Sequence, residues 1–405
     1  MKYILINSWC KKGSTGNIVY DFYQYLIQQG HDVYFFHGRE SAQDDKNIIR
    51  LTSKNAVKVH AGLARVTGLQ GFFSNHETNK LINFIDSFEP DYVYLFNLHG
   101  YYINEFKLLE YLNLKNQKTV YMLFDEYPYL GKCCFSEDCR KFEIKCSNCP
   151  KVRDYPSSLY FDRSELIFNK KKQVYMGWTN LVFTGVEYIQ KKAMISALAR
   201  NIPFIAFDMG VDLDDLYYPR ETALVRKKLM IRENCTVVLT VGFSSDKRKG
   251  ISKFVELSRM FDVNTVFINI GYDKDVTEDL PSNFIPIKYV ADLNEMAEYY
   301  SLADVYVTTS SGEAMSNACL EAMGCGTPIV AFDKSGMSYL GLSPNVNLAA
   351  YDDLTMMKKL IIACGRKNNL DSTKCREYAL KRFRRQDFLL HLYEAGKHID
   401  KVVER

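Results

Sequence analysis

The sequence predicts an α/β protein with two parallel sheets, each in its own domain. Three observations carry this. Short, mainly apolar runs recur with helical segments between them, the pattern of strands buried on both faces. The runs fall into two series, one ending near Phe207 and one starting at Thr236. The 405 residues are enough for two separate cores.

In the first series, residues 3–7 read as a strand, Asn17 to Gln29 as an amphipathic helix, and Val33 to Phe36 as the next strand. Pro90-Asp91 leads into a strand from Tyr92 to Phe96, followed by Thr119 to Leu123, Leu181 to Phe183 and Phe204 to Phe207. The second series is Thr236 to Gly242, Thr265 to Gly271, Val305 to Val307 and Ile329 to Phe332. The boundary is expected near Leu216 to Pro219, giving domains 1–215 and 216–385. Residues 386–405 read as a helix with Phe388, Leu389, Leu392 and Tyr393 on one side.

Composition excludes several classes. Apolar residues at 47% and charged residues at 25% suit a soluble globular enzyme. A net charge of +4 does not indicate nucleic-acid binding. No apolar run approaches the ~18 residues that span a bilayer. The apolar run at Met1 to Asn7 is too short for a signal peptide, so the expected location is cytoplasmic. Lys170-Lys171-Lys172, Lys191-Lys192 and Arg200 make 170–200 basic. They are expected to be a solvated face, with weak docking on an anionic membrane as the alternative.

The segment from Ser310 to Pro328 is the most informative. Ser316 or Asn317 can cap a helix over good helix formers, Gly324 and Gly326 end it, and the strand at Ile329 follows. Such a helix start offers N–H groups to a phosphate, and Glu313 and Glu321 can accept hydrogen bonds from sugar hydroxyls.

This segment resembles the Glu-x7-Glu signature of retaining, family-four (group 1) glycosyltransferases of the GT-B fold, bacterial surface-polysaccharide type. The resemblance runs from the Gly13–Gly16 segment to the terminal helix and is strongest across 236–332. It implies two Rossmann-like domains facing across a cleft, with the last helix crossing back to pack on the first. It assigns Glu313 to the donor sugar and Glu321 to the ribose. Gly242 ends a strand just before Arg248 and Lys249, which match the family's diphosphate-binding cations, although the place after the glycine holds Phe243 where relatives often have arginine. A basic surface turn is the alternative there. Gly13, Ser14, Thr15 and Gly16 match a glycine-rich loop touching donor phosphates and acceptor, without the Rossmann or P-loop fingerprint. Asp125 matches the second member of a family His-Asp pair whose histidine is here Phe124, and His99 is either a partial replacement or a structural histidine. Met209 similarly replaces the asparagine of a family turn at 208–212.

Five of eleven cysteines fall in an insertion at 131–158. Cys133, Cys139, Cys146 and Cys149 can supply four thiolates to a structural zinc, or can be unliganded thiols. Cys134 is set aside because adjacent cysteines rarely both reach one ion. No metal or other cofactor is expected for catalysis. The resemblance implies transfer of a hexose-type sugar from a nucleoside diphosphate sugar, UDP-linked in preference to GDP-linked, onto a glycan or lipid-linked glycan. The alternatives are a GT-B nucleotide-sugar epimerase or hydrolase, and a non-catalytic sugar-nucleotide-binding relative.

Overall fold

The structure, a computed structural model, describes residues 1–39, 45–273 and 279–403. The chain divides into two compact units, Met1–Phe207 with Leu389–Arg405, and Asp208–Phe388.

In the first unit, β1 (Lys2–Asn7), β2 (Asp32–His37), β3 (Ile48–Arg50), β4 (Tyr92–Leu95), β5 (Thr119–Leu123), β6 (Leu181–Gly185) and β7 (Phe204–Ala206) form a sheet in the order β3-β2-β1-β4-β5-β6-β7. The second unit holds β8 (Thr236–Val241), β9 (Thr265–Ile270), β10 (Phe284–Ile287), β11 (Val305–Thr308), β12 (Ile329–Phe332) and β13 (Val346–Ala349), ordered β10-β9-β8-β11-β12-β13. Every pairing is parallel; Ile4 lies opposite Tyr34 and Val93, and Leu239 opposite Ile268 and Tyr306. In each sheet the strand order reverses once, between β1 and β4 and between β8 and β11. The loops there leave in opposite directions and open a crevice beyond the strand ends, where ligands of such sheets bind.

Both cores follow from the apolar runs. Tyr3, Tyr92, Tyr94 and Tyr121 are fully buried in the first sheet, and Val238, Phe254, Phe267, Val305 and Val330 pack together in the second. Each such side chain contributes roughly 1.5–3 kcal/mol of burial. A buried tyrosine hydroxyl is generally hydrogen-bonded; Tyr121 Oη has no partner among the described residues, whereas Tyr92 and Tyr94 do. Tyr94 Oη donates to the Leu392 carbonyl at 3.2 Å, and Tyr92 Oη to Asp400, which also pairs with Lys118 at 2.6 Å. These contacts tie the terminal helix Arg385–Val403, from Leu389 onward, to the first unit.

The division falls at Phe207/Asp208, earlier than the expected 215/216. Asp208 takes a two-point contact from Arg382 at 2.6 and 3.0 Å, and Val211 forms a bridge with Arg384. Residues 208–215 are therefore held by the second unit. The first helix is Gly13–Gln28, so Gly13 to Gly16 form its first turn and not a loop ahead of Asn17. Three strands absent from the sequence reading, β3, β10 and β13, are sheet edges. The 170–200 lysines are not one solvated face. Lys171 is fully buried, Lys170 pairs with Glu110, Lys191 with Glu187, and Lys192 reaches Ser136 Oγ at 3.1 Å.

Candidate active site

The switch point of the second sheet gathers the charged residues singled out from the sequence. β8 ends at Gly242, whose N–H donates to the Ile270 carbonyl at 2.8 Å. A Cβ at 242 would sit 3.2–3.3 Å from the Lys249 side-chain carbons, so glycine leaves room for the lysine stem. Lys247–Lys249 form one tight turn, started by Asp246, which accepts from the Arg248 N–H at 3.0 Å. Gly250 ends it at φ 65°, in the left-handed region, and any Cβ there would meet the Thr309 carbonyl at 2.2 Å. Thr309 Oγ1 donates to the Gly250 carbonyl at 2.8 Å and the Ser311 N–H to the Arg248 carbonyl at 2.9 Å. The loops after β8 and β11 are thereby locked to each other.

That lock aims two cations at one carboxylate. Lys249 Nζ lies 2.7 Å and Arg248 Nη1 3.2 Å from Glu313 Oε1. Arg248 also donates to the Gly312 carbonyl and contacts Asp246 Oδ2 at 3.2 Å. Burial acts to raise the Glu313 carboxyl, but Lys249 and Arg248 outweigh it and hold the group below the ordinary glutamate value.

Glu321 lies on the helix Asn317–Gly324, which starts from Ser316 as expected. Its carboxylate accepts from Tyr300 Oη at 2.7 Å and from the Tyr217 hydroxyl. Burial raises its pKa; Tyr300, Arg385 and Tyr217 oppose this without cancelling it. The Ser316 side chain does not cap the helix, and instead bonds the buried thiol of Cys319. Lys249 acts electrostatically on both glutamates. Tyr217 and Tyr300 were not found from sequence, because each is brought to Glu321 from a distant element with no local pattern to mark it.

In the first unit the segments after β1, β4 and β5 meet. Asn7 Oδ1 accepts from the Asn97 N–H at 3.2 Å, and Asn97 Nδ2 reaches Thr15 Oγ1 at 3.5 Å. Gly16 packs on Trp9, where a Cβ would come to 3.2 Å. Gly13 has φ 66°, which admits the turn into the helix. His99 is not isolated: its Nε2 is 2.9 Å from Asp125 Oδ2 and its Nδ1 3.3 Å from Tyr155 Oη. Asp125 also accepts from the Tyr127 N–H at 2.9 Å and from the Cys134 thiol. An imidazole from the end of another strand therefore lies beside Asp125, although residue 124 is phenylalanine.

Cys133, Cys139, Cys146 and Cys149 line one cavity of ≈ 20 Å³, together with Lys132, Lys151 and Phe142. Cys134 turns the other way, toward Asp125. Among the described residues, the set of metal-capable side chains whose ligand atoms all lie within 4.8 Å of one another is His99, Asp125 and Cys134. The four cysteines share a cavity without closing on a single point.

Comparison with known proteins bears on the fold and on the segment that carries this cluster. The family described as "Glycosyl transferases group 1" matches residues 235–363, the part that holds Gly242, Arg248, Lys249, Glu313 and Glu321. The putative colanic acid biosynthesis glycosyl transferase WcaC of Escherichia coli is 25% identical over 187 residues, 43% of this chain and 45% of that protein. The chain thus matches under half the length of this relative. Sucrose-phosphate synthase from Thermosynechococcus elongatus superposes with a TM-score of 0.69 at 15% identity, covering 99% of each chain. WaaG, a glycosyltransferase involved in lipopolysaccharide biosynthesis, gives 0.66 at 16% identity, covering 98% of this chain and 99% of that one. HepE of Anabaena, solved with UDP-glucose, gives 0.60 at 15% identity, covering 100% and 99%. Residues 235–363 match the group 1 glycosyltransferase family, and the chain as a whole shares the two-sheet GT-B fold of these solved structures.

Proposed function

We propose that the chain is a retaining glycosyltransferase of surface-polysaccharide or lipopolysaccharide synthesis, moving a hexose-type sugar from a nucleoside diphosphate sugar to an acceptor hydroxyl. The observation that carries this is the Arg248–Lys249–Glu313 cluster at the switch point of the second sheet. A departing diphosphate gains charge in the transition state, and fixed cations beside it lower the barrier. Arg248 and Lys249 take that role, while Glu313 orients them and accepts from the donor sugar's hydroxyls. Glu321, braced by two tyrosines, accepts from the ribose. The leaving diphosphate takes the acceptor proton on the same face of the sugar, so no protein base is assigned to it. HepE, solved with UDP and with UDP-glucose, favours a UDP-linked donor.

In the first unit, the Gly13–Gly16 turn and the His99–Asp125 pair are assigned to substrate binding, the latter to a sugar or acceptor hydroxyl. The pairing at 2.9 Å favours a functional histidine over a structural one. It also answers the Phe124 part of the case for a non-catalytic relative, while the other part, Met209 in place of the family asparagine, is untouched. Of the basic residues of 170–200, Lys171 is buried and Lys170, Lys191 and Lys192 are paired, which leaves Lys172 and Arg200 as the exposed remainder and weakens the case for membrane docking there. The helix Lys54–Thr67 suits that better, exposing Val59, Leu63 and Val66 beside Leu159, Tyr160 and Phe161 and carrying Lys58 and Arg65 with no acid.

The test is sugar release from a panel of nucleoside diphosphate sugars, with and without glycan acceptors. Acceptor-dependent release with retained anomeric configuration is expected. Acceptor-independent hydrolysis or isomerisation sinks the transferase reading, and donor binding without turnover would reduce the chain to a binding protein.

A further inference from the structure

The 131–158 insertion has no helix or strand longer than a single turn; within it only Lys141–Glu143 is helical. Its apolar content is small, and Ile144 is almost wholly exposed. A segment this poor in burial needs another source of order. At its centre four cysteines, two from the loop on either side of Lys141–Glu143, face the same ≈ 20 Å³ cavity. That volume takes about one water-sized particle, hence a single ion and not an iron–sulfur cluster.

Two further features suit thiolates more than thiols. The Gly131 N–H donates to Cys146 Sγ at 3.3 Å, and the Lys151 N–H to the Cys149 sulfur. A Cβ at Gly131 would lie 2.6 Å from Cys146 Cβ, so the approach depends on glycine. Backbone donors aimed at sulfur stabilise negative charge there.

The second feature is buried positive charge. Lys132 and Lys171 are 2% and 0% exposed. Lys132 Nζ contacts the carbonyls of Val152 and Asp154 at 2.9 and 3.3 Å, and Lys171 Nζ those of Tyr127 and Leu130 at 2.6 and 3.1 Å. Among the described residues neither has a carboxylate within 4 Å. Lys171 Nζ lies 3.5 Å from the centre of the Tyr127 ring, whose hydroxyl donates to Glu105 at 2.6 Å, so this carboxylate reaches the lysine only through the ring. Buried ammonium groups need nearby counter-charge. Lys132 lines the same cavity as the four cysteines, and Lys171 holds the carbonyl of Leu130, which lines it too.

We propose that Cys133, Cys139, Cys146 and Cys149 bind one structural zinc ion, and that Lys132 and Lys171 balance its charge. Zinc with four thiolates carries two negative charges, matching two ammonium groups. The sulfurs would be drawn to about 2.3 Å from the ion, closing the cavity they now line. The ion would also act on the neighbouring site. Cys133 is a ligand and the next residue, Cys134, bonds Asp125, so the metal fixes the backbone that holds the Asp125–His99 pair. The ion touches no substrate and has no open position.

The experiment is elemental analysis of the full-length chain, made without a metal-affinity tag, together with thiol titration in the presence of a zinc indicator. About one zinc per chain is expected, released as a mercurial blocks the four thiols. Growth in cobalt should give the charge-transfer bands of a thiolate-bound ion. Cys139→Ser and Cys146→Ser should lose the metal, while Cys134→Ser keeps it. Nucleotide binding by the wild-type protein should survive zinc removal, which separates this proposal from the donor-site reading. Zinc far below one equivalent, with all four thiols reacting freely in the folded wild-type chain, overturns the proposal without any variant. Full zinc in Cys146→Ser, or loss in Cys134→Ser with retention in Cys133→Ser, overturns the ligand set.

Discussion

Glu313→Gln separates the two jobs assigned to this carboxylate. The substitution keeps the shape and removes the charge. At 2.7 Å from Lys249, an effective dielectric of about 20 gives a gross Coulomb attraction of about 6 kcal/mol. Lys249 and Arg248 side chains are 27% and 24% exposed, so water recovers much of this once the charge is gone. The net loss of stability should be about 1–3 kcal/mol, within the range for hydrogen bonds to charged groups. With both cations released from Glu313, free UDP should bind at least as tightly as before. Turnover of the donor sugar should fall by roughly two to three orders of magnitude, because the cations are no longer oriented and the sugar loses an acceptor. Calorimetric titration with UDP, beside steady-state kinetics on the active donor, reads both effects. Equal losses for UDP and for the donor would refute the division of labour and place Glu313 on the nucleotide.

Lys249→Ala and Arg248→Ala should each lower kcat by roughly 10²–10³-fold, and unchanged turnover in both would move the diphosphate clamp elsewhere. Glu321→Ala should weaken UDP and donor sugar alike, by about 1–3 kcal/mol, since both carry the ribose; a loss confined to the donor sugar argues against a ribose contact. The same site sets a pH dependence. Glu321 is raised above the ordinary value of 4.5, so it loses its negative charge, and with it the charge-assisted part of its acceptor role, as pH falls through that raised value. Glu313 is lowered, so the stability from its ion pairs persists until the pH passes below the ordinary range. UDP affinity, followed by titration on descending pH, should therefore fail before the second unit unfolds; simultaneous loss would contradict the assignment. Gly336→Ala should destabilise the second unit by about 1–3 kcal/mol, because its Cβ would lie 1.7 Å from the Ala314 carbonyl oxygen. A thermal midpoint equal to wild type would show that the loop yields freely.

The central strands were legible because both faces of a parallel sheet are buried, so the sequence there is nearly continuous apolar residues. Thr119–Leu123 and Ile329–Phe332 are found where the sequence puts them. Of the four edges only β7, at Phe204–Ala206, was legible. β3 has three residues, β10 contains Pro286, and β13 has two half-buried positions in four. An edge pairs on one side only and tolerates residues that a central strand excludes. The Glu313–Glu321 segment was legible for a different reason: a helix start, two carboxylates and a strand lie within twenty consecutive residues, and their spacing is local.

What the sequence determined by itself is the class of chemistry at each loop, since residue type fixes charge, hydrogen-bonding capacity and metal affinity. Which loops meet was decided by the tertiary structure. The strand-order reversal between β8 and β11 carries Lys249 to Glu313 across 64 residues, and the ends of β4 and β5 bring His99 to Asp125 across 26. Likewise the backbone direction at 133–134 sends one thiol into the four-cysteine cavity and its neighbour to Asp125. No spacing rule encodes such pairings, because they depend on strand register and on which side of a turn each side chain leaves.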